Sequence, residues 1–226
     1  MKRLVMALSL MVVSSAVNGV EKIPAFTPGA RILFIGDSIT DMNRGRSADP
    51  NHILGHSYVF IIAARQGAAF PESKLDFMNR GVSGNTVLDL EKRWQKDVLD
   101  LKPDLLSVLI GVNDSGKKVP LDQYEAVYDK LLADARAANP KLKLVLGAPF
   151  MKPGKMNDDI LKRQEIVAKL AKKYEAALVR YQEVFDAADK RFPQADYWVW
   201  DNVHPTYRGH QLVADEWERT VRTFWK

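Results

Sequence analysis

The chain alternates short, mostly apolar runs with longer segments in which apolar residues recur every three or four positions. A short, continuous apolar run is typical of a strand that is buried on both faces of a parallel sheet. Five segments fit this description, at 32–35, 75–78, 105–110, 142–146 and 177–179. The pattern therefore predicts five buried strands.

Four helices are predicted from apolar residues spaced at steps of three and four, within 87–101, 124–135, 160–174 and 212–224. Strands that alternate with helices imply a parallel sheet covered on both faces. At 226 residues, the chain is large enough for one sizeable core but short for two. We therefore expect one α/β domain with three layers, α/β/α, around a five-stranded parallel sheet.

Candidate catalytic residues occur near both ends of the chain. Ser38 follows the first predicted strand, while Asp201 and His204 lie three positions apart before the last predicted helix. A serine hydroxyl needs an adjacent imidazole to accept its proton, and the imidazole needs a carboxylate to orient it. Taken singly, Ser38 is equally consistent with a helix N-cap and His204 with a turn residue. Together the three residues indicate a serine esterase.

Candidate donors for an oxyanion hole follow two other strands. The backbone N–H of Gly84 precedes a helix start that Thr86 is expected to cap, and helix N-termini present free N–H groups. Asn113 carries a side-chain amide that is able to donate. The alternatives are a plain turn glycine at Gly84 and an Asx-turn at Asn113. Ser38, Gly84 and Asn113 each lie just beyond a strand, where ligands bind in open α/β sheets.

Four sequence segments resemble the conserved blocks of the SGNH, or GDSL, hydrolase family: Gly-Asp-Ser-Ile-Thr at 36–40, Asn-Arg-Gly-Val-Ser-Gly-Asn-Thr at 79–86, Gly-Val-Asn-Asp at 111–114 and Asp-Asn-Val-His-Pro at 201–205. The sequences of these blocks most resemble those of the bacterial acetylxylan esterases in this family. The resemblance implies a flavodoxin-like SGNH fold and a catalytic triad of Ser38, His204 and Asp201. It also implies an oxyanion hole formed by Ser38, Gly84 and Asn113.

The same resemblance implies an acetylated oligosaccharide or polysaccharide as the substrate partner. Asp41 and Arg44 match the longer first block of the acetylxylan esterases and are candidates for substrate binding. Trp200, directly before Asp201, is a third candidate, with core packing as its alternative. The chain departs from these esterases at 115–118, where Ser-Gly-Lys-Lys replaces an aromatic-led stretch. A lipase or lysophospholipase of the same family, and a non-catalytic carbohydrate-binding protein, are the competing hypotheses.

Composition restricts the remaining possibilities. Residues 1–19 combine two cations, an apolar run and small residues, which is the pattern of a cleaved signal peptide, so we expect a secreted or periplasmic domain over 20–226 without membrane insertion. The net charge of +5, with no basic stripe, argues against a nucleic-acid partner. There is no cysteine, and no cofactor or metal is expected, because a triad needs neither. The sequence is compatible with a homo-oligomer as well as with a monomer.

Overall fold

A parallel five-stranded sheet forms the centre of the computed structural model, which describes residues 19–226. All but the last residue of the expected signal peptide lies outside this range. The strands are β1 Arg31–Gly36, β2 Asp76–Asn79, β3 Leu105–Leu109, β4 Lys143–Gly147 and β5 Ala177–Val179, in the order β2-β1-β3-β4-β5. The five predicted strands are thereby confirmed, with ends shifted by at most one residue.

Eight α-helices occur in the described range: α1 Ser38–Asp41, α2 Tyr58–Ala69, α3 Val87–Trp94, α4 Val112–Gly116, α5 Leu121–Ala138, α6 Asp158–Lys173, α7 Tyr181–Arg191 and α8 Tyr207–Phe224. A 3₁₀ turn at Pro71–Ser73 precedes β2, and a π turn at Gln95–Leu99 extends α3. None of the helices within 19–226 has the length and apolar character needed to cross a membrane.

Alternation of side chains along β1 divides the core into two layers. Ile32 and Phe34 point into a cluster with α2, α7 and α8, whereas Leu33 and Ile35 point into a cluster with α3, α5 and α6. Both clusters are buried, which is why the strand is apolar at successive positions rather than at alternate ones. The expected three-layer α/β/α arrangement is therefore confirmed.

Four of the eight helices were not predicted: the short α1 and α4, and the longer α2 and α7. In α2, apolar residues occupy five consecutive positions from Tyr58 to Ile62, so no helical period stands out. In α7, Tyr181, Phe185 and Ala188 are buried at steps of four and three. That spacing is a helical signal, although a weak one in an eleven-residue segment.

Helix α8 is fixed to the sheet by one large side chain. Trp217 is fully buried and packs against Phe34 of β1, with ring centroids 5.1 Å apart. Its indole N–H donates to the hydroxyl of Ser107, 2.9 Å away. Ser107 is a buried polar residue in a strand that is otherwise apolar. Its hydroxyl therefore satisfies an indole N–H that would otherwise be buried without a partner.

We expect Ser107→Ala to destabilise the fold by about 1–3 kcal/mol, because it leaves the indole N–H of Trp217 buried without an acceptor. Urea unfolding of Ser107→Ala, Trp217→Phe and the double variant measures this coupling. In the Trp217→Phe background, Ser107→Ala should cost much less, since no indole N–H remains. An equal cost in both backgrounds would show that the hydrogen bond contributes nothing.

Candidate active site

Ser38 lies at the turn between β1 and α1, at the carboxyl edge of the sheet. Asp37 caps α1 by accepting a hydrogen bond from the backbone N–H of Ile39. Gly36 ends β1, and a Cβ there would lie 2.2 Å from the carbonyl oxygen of Leu109 on β3. Glycine is therefore required for β1 to turn so close to its neighbour. This turn leaves Ser38 half-buried at the edge of the sheet.

A chain of hydrogen bonds connects the three predicted catalytic residues. The Oγ of Ser38 lies 2.8 Å from Nε2 of His204, and Nδ1 of His204 lies 2.6 Å from Oδ2 of Asp201. An ionised carboxylate is able only to accept, so Nδ1 carries a proton and Nε2 accepts from the serine hydroxyl. The structure thus brings together side chains that are separated by 166 positions in the sequence.

The loop before α8 holds Asp201 and His204 in place. Asp201 Oδ1 accepts hydrogen bonds from the backbone N–H groups of Val203 and His204, both at 2.8 Å. Partial burial alone would raise the pKa of Asp201. The hydrogen bonds from His204 and Val203 outweigh that effect and hold the pKa below its ordinary value. The carboxylate is therefore kept ionised and aimed at the imidazole.

The same loop is anchored at its two ends. Val199 and Pro205 form an antiparallel bridge, and the N–H of Trp200 donates to the carbonyl of His204. Thr206 then caps α8 by accepting from the N–H of Gly209. The position of His204 is consequently set by α8, which Trp217 fixes to the sheet.

Two predicted oxyanion donors, the N–H groups of Ser38 and Gly84, donate no hydrogen bond to any part of residues 19–226. Gly84 has a φ of +79°, a conformation that suits glycine. Thr86, two residues further on, forms a capping box with Asp89, as its position in the sequence predicted. Both N–H groups remain available for a negatively charged oxygen.

Asn113, the third predicted donor, lies on α4, beside the loop that carries Gly84. Its amide donates to the carbonyl of Asn85 at 3.1 Å, which leaves its second N–H. The exposed side chain of Lys117 donates to the carbonyl of Gly84 at 2.6 Å. Residues 115–118, which follow the third sequence block, therefore help to hold the loop that carries Gly84 in place. Sequence reasoning gave Lys117 no role, because only tertiary contact reveals it.

Arg93 is a second residue that the sequence reasoning missed. Its guanidinium donates to the carbonyl of Gly36, to the carbonyl of Arg80 and to the side chain of Asn85, at 3.2, 2.7 and 2.8 Å. Asp97, one turn further along, balances its charge. Arg93 therefore joins the end of β1, next to Ser38, to the loop that carries Gly84. In the sequence it is indistinguishable from any charged residue on a helix.

Asp41 and Arg44, both predicted to contact the substrate, are held by internal hydrogen bonds. Both are more than nine-tenths buried. The carboxylate of Asp41 accepts from Arg46 and from the N–H and hydroxyl of Ser83. Nε of Arg44 donates to the carbonyl of Gly81 at 2.7 Å. The loop turns these two charged side chains inward, which its polar composition did not reveal.

Trp200, the remaining predicted substrate contact, is 61% exposed beside the triad. Its ring stacks on the imidazole of His204, with centroids 6.4 Å apart and planes 27° apart. Trp198, two residues earlier, is buried in the core. Of these two tryptophans, only Trp200 is exposed beside the triad.

Two buried acids lie behind the site. Burial, reinforced by the charge of Asp114, raises the pKa of Asp37 to about 7, and burial raises the pKa of Asp114 itself to about 6. Asp114 accepts from the N–H of Val87 and so fastens α4 to the start of α3. One oxygen of each carboxyl has no hydrogen-bond partner within residues 19–226. No group of three metal-ligating side chains occurs in that part of the chain.

Known proteins match this chain over most of its length. The model of the GDSL-like Lipase/Acylhydrolase family matches residues 34–212. An acetylxylan esterase of Geobacillus stearothermophilus is 34% identical over 214 residues, which are 87% of this chain and 96% of that protein. A crystal structure of an acetylxylan esterase from that organism superposes with a TM-score of 0.79 at 32% identity, covering 87% of this chain and 96% of the other.

Other solved structures are also similar to the structure of this chain. An alpha/beta hydrolase enzyme from the metagenome of Lake Arreo superposes with a TM-score of 0.81 at 30% identity, covering 89% of this chain and 99% of the other. Two structures of the Geobacillus esterase are described as catalytic mutants. In one an aspartate is replaced by alanine, and in the other a histidine three residues further on. Asp201 and His204 have the same spacing.

The raised pKa of Asp37 has a consequence for stability. An unfolded aspartate ionises near pH 3.9, whereas folded Asp37 keeps its proton up to about pH 7. Protonated Asp37 therefore stabilises the folded state fully below pH 3.9, and this stabilisation is lost as the pH rises through 7. Asp37→Asn removes this dependence and keeps an oxygen that is able to accept from Ile39.

We expect the stability of Asp37→Asn relative to the wild-type protein to increase from pH 4 to pH 7, by at most about 4 kcal/mol. Urea unfolding at several pH values measures the difference. A stability difference that stays constant across this range would mean that Asp37 is ionised in the folded protein.

Proposed function

Because the chain belongs to the GDSL-like lipase/acylhydrolase family, we propose that it removes O-acetyl groups from carbohydrates, with Ser38 as its nucleophile. The family and the acetylxylan esterase relative together make it a carboxylic ester hydrolase. The observation that carries the proposed mechanism is the hydrogen-bonded chain from Asp201 through His204 to the hydroxyl of Ser38. The spacing of the two residues replaced in the catalytic mutants of the Geobacillus esterase supports the assignment of Asp201 and His204.

In the first half of the proposed reaction, Oγ of Ser38 attacks the carbonyl carbon of the acetyl ester. Its proton passes to Nε2 of His204, 2.8 Å away, and Asp201 stabilises the imidazolium that forms. His204 then gives this proton to the sugar oxygen as the carbon–oxygen bond of the ester breaks. The sugar leaves as an alcohol, and the acetyl group remains on Ser38.

In the second half, water attacks the acetyl group while His204 accepts the proton of the water. Collapse of the second tetrahedral intermediate returns this proton to Ser38 and releases acetate. Both halves develop negative charge on the same carbonyl oxygen. The free N–H groups of Ser38 and Gly84 and the second N–H of Asn113 are the proposed donors to it. Donors held in place before the reaction contribute without any cost of reorganisation.

The exposed surface around the triad supports a carbohydrate rather than a lipid as the substrate. Trp200 presents a large aromatic face next to His204, and such faces bury the apolar side of a ring while leaving its polar edge hydrated. The acetylxylan esterase relative, matched over 96% of its length, supports the same class of substrate. We further propose export of the protein, on the signal-peptide pattern of residues 1–19 alone.

We expect activity to be highest on acetyl esters and to fall steeply beyond butyryl esters, with peracetylated xylosides hydrolysed readily. Rates on a series of p-nitrophenyl esters of increasing acyl length, at equal soluble concentration, measure this. A lipase would gain up to about 0.8 kcal/mol for each CH₂ that its pocket buries. Octanoyl esters hydrolysed faster than acetyl esters would therefore replace the carbohydrate-esterase assignment with that of a lipase.

Two serine variants serve as controls for this series. Ser38→Ala should abolish hydrolysis of every ester, because it removes the attacking oxygen. Ser47→Ala changes a serine of the polar loop outside the triad and should leave the acyl-length profile intact. Turnover that survives Ser38→Ala would transfer the nucleophile to another residue.

A further inference from the structure

A cavity of about 260 Å³ lies beside the loop that carries Gly84, and no triad residue lines it. It is lined by the loop residues 44–48, by Ile53 and by Arg80. Three of its lining residues are arginines: Arg44, Arg46 and Arg80. Sequence reasoning assigned no function to Arg46 or Arg80.

The three guanidinium groups have very different partners. Both terminal nitrogens of Arg46 bind the carboxylate of Asp41, at 2.8 and 3.0 Å. Arg44 donates only to neutral carbonyl groups, those of Gly81 and Gly45. The side chain of Arg80 donates no hydrogen bond within residues 19–226, and its Nε is buried without an acceptor. Only one of the three cations is therefore neutralised.

This imbalance is costly for Arg44, the one buried member of the three. Arg44 is nine-tenths buried, and no carboxylate among residues 19–226 lies within ion-pair distance of Arg44 or Arg80. Burial, followed by repulsion from Arg46, lowers the pKa of Arg44 to about 10, and the attraction of Asp41 offsets only part of this effect. Buried charges in proteins are normally paired, since desolvation of an unpaired ion is strongly unfavourable. The cluster has the character of a site that lacks its counter-ion.

We propose that this cavity binds an oxyanion, a carboxylate or a phosphate, between Arg44 and Arg80. Guanidinium groups match both anions through paired, charge-assisted hydrogen bonds. The cavity is smaller than the sites of roughly 300–1,000 Å³ that hold drug-sized ligands, so it suits a single anionic group and not a polysaccharide chain. The two sources of such a group are an acidic sugar of the substrate and a free phosphate ion.

The position of the cavity connects it to the predicted site. Arg44 donates to Gly81, and Asp41, which binds Arg46, also accepts from Ser83. Gly81 and Ser83 belong to the loop that carries Gly84. A bound anion would consequently help to hold this loop in place. The proposal goes beyond the esterase function, and binding itself needs no turnover.

Binding of inorganic phosphate and of glucuronate tests the proposal, by titration calorimetry and by thermal unfolding at constant ionic strength. We expect Tm to rise with either anion, and Arg80→Gln to weaken binding at least tenfold. Arg80→Gln removes a charge but no hydrogen bond of the described fold, so circular dichroism should be unchanged. Arg180→Gln, which alters a half-exposed arginine outside the cavity, is the matched control and should bind like the wild-type protein.

Kinetics on acetylated xylo-oligosaccharides with and without a glucuronosyl branch distinguish the two sources. A KM that Arg80→Gln raises only for the branched substrate assigns the site to an acidic sugar of the substrate. Loss of phosphate binding in Arg80→Gln with both KM values unchanged assigns it to a free ion. Binding of neither anion, or equal binding by the wild-type protein and Arg80→Gln, would overturn the oxyanion site whatever the esterase activity.

Discussion

The hydrogen bond between Ser38 and His204 joins two ends of the chain that only the complete fold brings together. Ser38 is placed by β1, an inner strand of the sheet, and by the tight turn at Gly36. His204 is placed by a loop that is continuous with α8, and α8 is held on the sheet by Trp217. A shift of β1 or of α8 would lengthen the 2.8 Å hydrogen bond between Ser38 and His204 until it is lost. The chemistry therefore depends on the packing of both elements.

A second constraint keeps the predicted oxyanion loop in register with the nucleophile. Arg93 bonds both the end of β1 and the loop that carries Gly84, while Asn113 and Lys117 hold this loop from the other side. These contacts are made by long side chains to backbone carbonyls, which fixes the positions of N–H groups without using them. The free donors at Ser38 and Gly84 are thereby held in place before any substrate arrives.

Much of this organisation was predictable from the sequence. The five strands follow from apolar runs because strands buried on both faces must be apolar throughout, and the caps at Thr86 and Thr206 follow from local hydrogen bonding. The helix that begins at Tyr58 was missed because its consecutive apolar residues hide the helical period. The internal hydrogen bonds of Asp41 were not predicted, because one of its partners, Ser83, lies 42 positions away. Pairings of this kind depend on tertiary structure and leave no local pattern.

Labelling with a fluorophosphonate probe, mapped by mass spectrometry, tests most directly whether the hydrogen-bonded chain activates Ser38. We expect the probe to modify Ser38 alone, because no other serine is assigned an activating imidazole. We expect His204→Ala to suppress labelling strongly in a protein that remains folded, since the base that accepts the serine proton is then absent. Labelling at a different serine, or undiminished labelling of Ser38 without His204, would contradict the account.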